Sequence, residues 1–383
     1  MSRLSQPSTP ESDVPEAPTP EAPEGAAEEA SGSVSGRRGA FALDRSAQRA
    51  RAAVKAAWWG AAGMAARAIA KPTGAAPPDF TPSAPPAPPG FLRRAWLEAF
   101  EKDARDVARG LYPAMDDAPE NPLAAWRAAA DFLADARRVE ARRRRGGGVE
   151  ARADAPEGRT YPAYYRQNFH YQTGGWFTAD SAQRYETQVE ILFAGTAGAM
   201  RRRALSLLAT AWKDRDHRGL ALLDLACGAG AFLRDLGQAF PRARIAGLDL
   251  SLPYLEEARR LSGVQAVVQA KAERLPFADA SLDAVTCVYL FHELPPRYRP
   301  GVAGEIARVL KPGGLLAFAD SVQPADEPRL TRLLEAFPAY FHEPYYADYS
   351  RTDLTALFAE AGLTESARDK AFLTKAVLYK KAG

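Results

Sequence analysis

The chain has 383 residues and balanced charge, with Lys+Arg 50, Asp+Glu 47 and a net charge of +3, so it exceeds one typical domain and has no strong pull toward nucleic acid or anionic membrane. Its two cysteines fit neither a disulfide framework nor a zinc spacing. No apolar run approaches the ~20 residues of a membrane span, the first segment lacks the hydrophobic centre of a signal peptide, and the default expectation is a cytoplasmic protein.

Residues 1–40 are rich in Pro, Glu and Ser and predict a disordered tail, because they offer too little apolar surface to offset ordering entropy. Within 41–90, an Ala- and Arg-rich stretch with Trp58 and Trp59 predicts an amphipathic helix, followed by a semi-rigid proline linker over 71–89. That helix either docks on protein or gives 41–70 a peripheral contact with a membrane surface. Residues 91–160 predict a helical accessory region, first with Leu92, Trp96, Phe100 and Val107 on one side of a helix, then with Leu123, Trp126, Ala130 and Leu133 on another. The run Arg142 to Arg145 before three glycines reads as a solvated helix end.

Residues 161–219 begin with aromatic and amide side chains in no clean period and predict a lid or cap, joined by a helix around Tyr185 and Val189. Tyr165, Phe169, His170 and Trp176 are its candidate substrate contacts, and His217 is expected in a solvated connector.

From 220 to the end, strand and helix patterns alternate. Leu220 to Ala226 is a continuous apolar run, as expected of a strand covered on both faces. It breaks into Asp224-Leu225-Ala226-Cys227-Gly228-Ala229-Gly230 and a helical pattern from Ala231 whose free N–H groups face that turn. A dinucleotide turn would have a third glycine where this chain has Leu233, which disfavours a nicotinamide-dependent reductase. Asp224 suits a ligand with an amino group better than a phosphate. A second strand ends at Asp249, about 20 residues past the glycines, where a carboxylate meets ribose hydroxyls. Then come Leu275-Pro276-Phe277 with Ser281-Leu282-Asp283-Ala284-Val285, and Arg308-Val309-Leu310-Lys311-Pro312-Gly313-Gly314, where proline cannot continue a helix and the glycines allow the positive φ of a C-cap. Helices are expected over 330–337 and 352–361, and 372–379 reads as a last strand.

In this order, the four segments resemble class I S-adenosylmethionine-dependent methyltransferases, most closely the type 11 or UbiE-like small-molecule branch. The resemblance covers roughly 220 to 379. It implies a Rossmann-like α/β fold with a mostly parallel seven-stranded sheet and an antiparallel last strand, with S-adenosyl-L-methionine as cofactor. It implies cofactor contacts from Asp224, Ala226, Cys227, Gly228, Gly230, Asp249, Leu250, Lys271, Ala272 and Tyr289. Lys271 stands where the branch usually has an acid for the adenine amino group, and an ammonium offers no acceptor.

After strand four, His292 is the first candidate for proton transfer, its reference pKa lying near neutrality, and Glu293 the second. His342 and Tyr345, in a second aromatic loop, are further candidate substrate contacts, and no metal site is expected. The reading is methyl transfer to a small-molecule acceptor at O, N or C, with no nucleic-acid partner. The alternatives are a non-catalytic scaffold of the same fold and an RNA or protein methyltransferase.

Overall fold

The computed structural model describes residues 81–115, 161–167, 175–340 and 343–383, with scattered positions from 50 to 61 and at 130, 131, 134 and 155. The tail 1–40, most of the first predicted helix and linker, nearly all of the 122–145 run with its arginines, and Phe169, His170 and His342 lie outside the described residues.

In chain order the regular elements are α1 (Phe91–Ala108), α2 (Ala179–Leu192), α3 (Ala197–Ala211), β1 (Ala221–Leu225), α4 (Ala231–Ala239), β2 (Arg244–Asp249), α5 (Leu252–Ser262) and β3 (Val267–Gln269). They continue with β4 (Leu282–Val288), α6 (Arg299–Val309), β5 (Leu310–Ser321), α7 (Thr331–Tyr340), α8 (Tyr346–Tyr349), α9 (Leu354–Glu360), β6 (Leu363–Ala371) and β7 (Thr374–Lys381). The sheet has seven strands in the order β3-β2-β1-β4-β5-β7-β6. The first five are parallel, and β7 pairs antiparallel with both β5 and β6. The expected Rossmann-like α/β fold is therefore present. Chain order reverses between β1 and β4, and open α/β sheets bind ligands at the strand C-termini of such a point.

Alternation along β1 divides the core. Leu223 and Leu225 join one apolar cluster with Val285, Phe291 and Phe318, whereas Leu222 joins the other with Phe232, Leu236 and Ala317. Both faces are thus covered, which explains the unbroken apolar reading of 220–226. No described helix is long and apolar enough to cross a membrane.

Several expectations change in detail. Leu92 is 38% exposed, so the buried side of α1 runs instead through Phe91, Ala99, Phe100 and Val107. The Lys311 to Gly314 segment is not a helix C-cap; α6 ends at Val309 in extended geometry and the prolyl-glycine stretch forms an irregularity within β5, opposite the shift between Leu282 and Ala284. His217 is half-buried rather than solvated, with its ring 5.0 Å from that of Phe240 and Nε2 3.3 Å from the Trp212 carbonyl. Trp59 is buried where Gly195 leaves room for it, while Trp58 beside it stays 44% exposed.

The accessory helix α1 is tied to the sheet through α3, which bears three consecutive buried arginines. The Arg202 guanidinium donates to Asp103 at 2.7 and 2.8 Å and to Asp235 at 3.0 Å. Arg203 donates to Asp106 at 2.7 Å and to the Tyr112 hydroxyl at 2.9 Å, with Asp369 of β6 at 3.4 Å. Removing one member of a buried pair leaves an uncompensated charge, so Arg203→Met should lower unfolding free energy in urea by about 3–5 kcal/mol. Arg368→Met, which breaks a surface pair with Glu365, should cost no more than about 1 kcal/mol. Equal losses for the two variants would refute the staple.

Candidate active site

The turn after β1 is shaped by left-handed residues: Ala226 at φ 60, Gly228 at φ 54 and Gly230 at φ 89. A Cβ on Gly230 would come within 2.7 Å of the Ala258 Cα, so glycine lets the turn sit against α5; a Cβ on Gly228 would meet nothing, so open space lies beside that residue. The Cys227 side chain is buried with Leu233 and Leu255, and Cys287 is also buried, as small core residues should be.

Two carboxylates flank the turn. Asp249, at the end of β2, accepts from the Gly228 N–H at 3.0 Å and from the Ser251 N–H at 2.8 Å. Burial pushes its carboxyl pKa up, and these backbone donors offset part of that rise. Asp224 is 1% exposed. Its Oδ1 accepts from the Thr286 hydroxyl at 2.6 Å, and its Oδ2 has no hydrogen-bond partner among the described residues. Burial lifts this carboxyl to about 7, with Thr286 and Arg201 opposing the rise. A buried acceptor left bare is costly unless a donor arrives. The unpaired oxygen, the open glycine turn and a ribose-spaced carboxylate together fit the cationic nucleoside S-adenosylmethionine, whose amino group and ribose hydroxyls are donors.

Residues 161–167 and 175–177 lie beside this turn. The Tyr161 hydroxyl accepts from Gln269 at 3.2 Å, and the Tyr164 hydroxyl donates to Glu273 at 2.7 Å. Tyr161 and Phe177 pack with Tyr165 and Leu250. The Trp176 carbonyl accepts from the Ser251 hydroxyl, and its ring lies 5.1 Å from that of Tyr254, beside Ala229. Burial and the Asp249 charge hold the Tyr165 hydroxyl pKa well above its usual value. Tyr165 and Trp176, expected as substrate contacts, pack near Leu250 and near Ala229 and Tyr254 respectively. Ala272 packs against the main core and Lys271 is half-buried.

On the other side, β4 ends at Val288 and Tyr289 adopts φ 57, which turns the chain into the one-turn helix containing His292. The Tyr289 hydroxyl meets Thr374 at 2.5 Å and its ring lies 6.2 Å from that of His292. His292 is 8% exposed, and its Nδ1 lies 2.6 Å from Oδ1 of Asp320, at the end of β5. Asp320 is fully buried and also accepts from the Phe291 and Ser321 N–H groups. Burial alone would pull the imidazolium pKa down. The charges of Asp320, Glu293 and Glu343 and the Asp320 hydrogen bond outweigh it and hold His292 at about 9. Nε2 lies 3.6 Å from Glu293, and donor atoms of His292, Glu293 and Glu343 fall within 4.8 Å of one another. The rings of Tyr346 and Tyr349 stand 6.1 and 6.0 Å from the imidazole. The Tyr345 hydroxyl accepts from Gln167 at 2.8 Å and feels the Glu293 charge, which ties Gln167 to this cluster.

Asp320 and Glu343 were not foreseen. The available signal for Asp320 was an acid closing the apolar run Leu315 to Ala319, the same pattern that singled out Asp224 and Asp249.

The methyltransferase domain family matches residues 223–318. The chain is 30% identical over 203 residues to a ubiquinone/menaquinone biosynthesis C-methyltransferase UbiE of Desulfotalea psychrophila, covering 48% of this chain and 79% of that protein. It is 34% identical over 151 residues to a demethylmenaquinone methyltransferase of Deinococcus radiodurans, 38% of this chain and 59% of that one. A fatty-acid O-methyltransferase of Mycolicibacterium smegmatis is 33% identical over 141 residues, 36% and 51% of the two chains. Given the sheet order, the turn and these relatives, the chain belongs to the class I S-adenosylmethionine-dependent methyltransferases of the UbiE-like type.

Proposed function

We propose that the chain methylates a small-molecule acceptor in the chamber beside His292, with the cytoplasm as its default compartment. The observation that supports this best is depth: His292 is 8% exposed and ringed by Tyr289, Tyr346 and Tyr349, so an acceptor must be small enough to be enclosed. The relatives' names, a demethylmenaquinone methyltransferase and a fatty-acid O-methyltransferase, likewise point to small-molecule rather than protein or RNA acceptors.

Bound S-adenosylmethionine supplies an electrophilic methyl group on a sulfonium. In this reading Asp249 keeps lone pairs for two ribose hydroxyls while it pins the turn. Asp224 Oδ2 takes the amino group, and Leu250 with Tyr161, Tyr165 and Phe177 covers the base. The rings of Trp176, Tyr185 and Tyr254 give π surface that favours a cation. Much of the rate then comes from holding the acceptor in line.

Held at about 9, His292 is already protonated at neutral pH. The first and second candidates therefore exchange roles: Glu293, 3.6 Å from Nε2, is the base at neutral pH, and His292 fixes the local charge.

Methyl-labelled S-adenosylmethionine, incubated with the protein and a cell extract, should deliver label to the low-molecular-weight fraction. Label confined to protein or RNA would reject the reading.

A further inference from the structure

We propose that the chain docks on the surface of an anionic lipid bilayer through the helical face that carries Val54 and Trp58. Among the described residues before α1, positions 50, 53, 54, 57, 58, 59 and 61 are helical. Ala50, Ala53, Val54, Ala57, Trp58 and Ala61 recur at the i, i+3, i+4, i+7, i+8 and i+11 spacing of a single helix face, and all six are exposed. A stripe of the kind that ordinarily meets a core thus faces solvent.

Trp59 shows why it does so. At 100° per residue Trp59 falls on the opposite side of the helix, and it is buried in the space left by Gly195, where a Cβ would come within 2.6 Å of its own Cβ. The preceding carbonyl, that of Ala194, accepts from the Trp96 indole N–H of α1 at 3.0 Å. Both helices are therefore held at one turn. Val54 is 70% exposed, and Val54, Trp58, Leu92 and Leu97 are four of the five exposed large hydrophobics among the described residues. Apolar surface concentrated in this way marks an interaction site.

Charge selects the occupant. Residues 45–78 hold six cations and no acid, although the whole chain carries a net charge of only +3. Basic residues in one segment with a tryptophan-bearing apolar face suit an anionic lipid surface, where the ring sits at headgroup depth and cationic side chains reach the phosphates. The stripe is mostly alanine, so insertion alone is weak and the cations must contribute. A second copy would set six cations against six. Nucleic acid would pair the cations and leave Val54 and Trp58 in water. The acidic segment 1–36 also complements the charge, yet it holds no aromatic residue and little apolar surface to cover a tryptophan.

Flotation of the full chain with vesicles of phosphatidylcholine, alone or mixed equally with phosphatidylserine, tests the proposal. At about 0.1 M NaCl the mixed vesicles should bind the parent about tenfold or more tightly than phosphatidylcholine alone, and that preference should collapse at about 0.5 M. Val54→Glu/Trp58→Glu places helix-compatible residues at exposed positions, so thermal stability and S-adenosylhomocysteine affinity should hold while vesicle affinity falls about tenfold or more. Acrylamide quenching of Trp58, read as the difference between the parent and Trp58→Phe, should be strong in the free monomer and suppressed on the mixed vesicles. Three results would overturn the proposal: no binding to the mixed vesicles, equal binding to both compositions, or a double variant that floats as well as the parent. Trp58 already shielded without vesicles would overturn it too, assigning the face to a second copy if light scattering gives a dimer and to segment 1–36 if it gives a monomer.

Discussion

Asp249→Ala should weaken S-adenosylmethionine binding by about 100-fold or more. The carboxylate at the end of β2 loses two roles at once. It no longer accepts the Gly228 and Ser251 N–H groups that set the turn, and it no longer accepts the ribose hydroxyls assigned to it in the proposed function. Hydrogen bonds to a charged group contribute about 1.5–3 kcal/mol each, so losing two of them accounts for that factor. Asp249→Asn, which keeps one carbonyl acceptor, should fall between the parent and the alanine variant. His292→Ala should leave cofactor affinity within about threefold, since the imidazole stands with Asp320 and Glu293 on the acceptor side. Equal losses for the Asp249 and His292 alanine variants in calorimetry would mean that the two halves of the site are misassigned.

Asp320→Asn should have the largest effect on chemistry without touching the cofactor turn. Asp320 acts through His292: it fixes the ring from Nδ1 and supplies the first-ranked charge that opposes the effect of burial. With that charge gone, burial favours neutral imidazole, and the His292 pKa should fall from about 9 in the parent toward or below its ordinary value near 6.5. NMR titration of the labelled imidazole reads this directly. The rate should drop by about 100-fold, because a loosened, neutral imidazole no longer fixes the charge and position of Glu293, the base 3.6 Å from Nε2. Stability follows with a defined sign. A pKa raised in the folded state stabilises fully below the unfolded value near 6.5 and loses that contribution as pH rises through about 9. Thermal stability of the parent should therefore decline over that window, and the decline should flatten in Asp320→Asn. An unchanged His292 pKa in the variant would remove Asp320 from the positioning role.

Much of the cofactor half was legible because its chemistry is local. The acid, the glycines and the helix start that shape the turn fall within a dozen positions, and the Gly230 approach to Ala258 needs no knowledge of distant contacts beyond a following helix. The hairpin of β6 and β7 followed from the family resemblance, and local pattern gave only Gly362 as the preceding helix stop; Phe372, read as part of the last strand, is the left-handed turn residue between them. The acceptor half was not. Asp320 reaches His292 from 28 positions away because parallel pairing sets the ends of β4 and β5 side by side, and no local pattern states that register. Glu343 arrives from the stretch between α7 and α8. Nor could composition show that Arg202 and Arg203 lie inside: charge predicts a surface until partners from three other elements are placed around it. The Lys311 to Gly314 stretch was misread because proline and glycine stop a helix and interrupt a strand equally well.

The central claim is that the turn after β1, between Asp224 and Asp249, receives a sulfonium nucleoside and not a diphosphate. Calorimetry of the full chain with S-adenosylmethionine and, separately, with NADH tests it most directly. The account predicts one S-adenosylmethionine site per chain, abolished or strongly weakened in Asp249→Ala, and no heat from NADH beyond dilution. Saturable NADH binding at that turn, with none for S-adenosylmethionine, would contradict it.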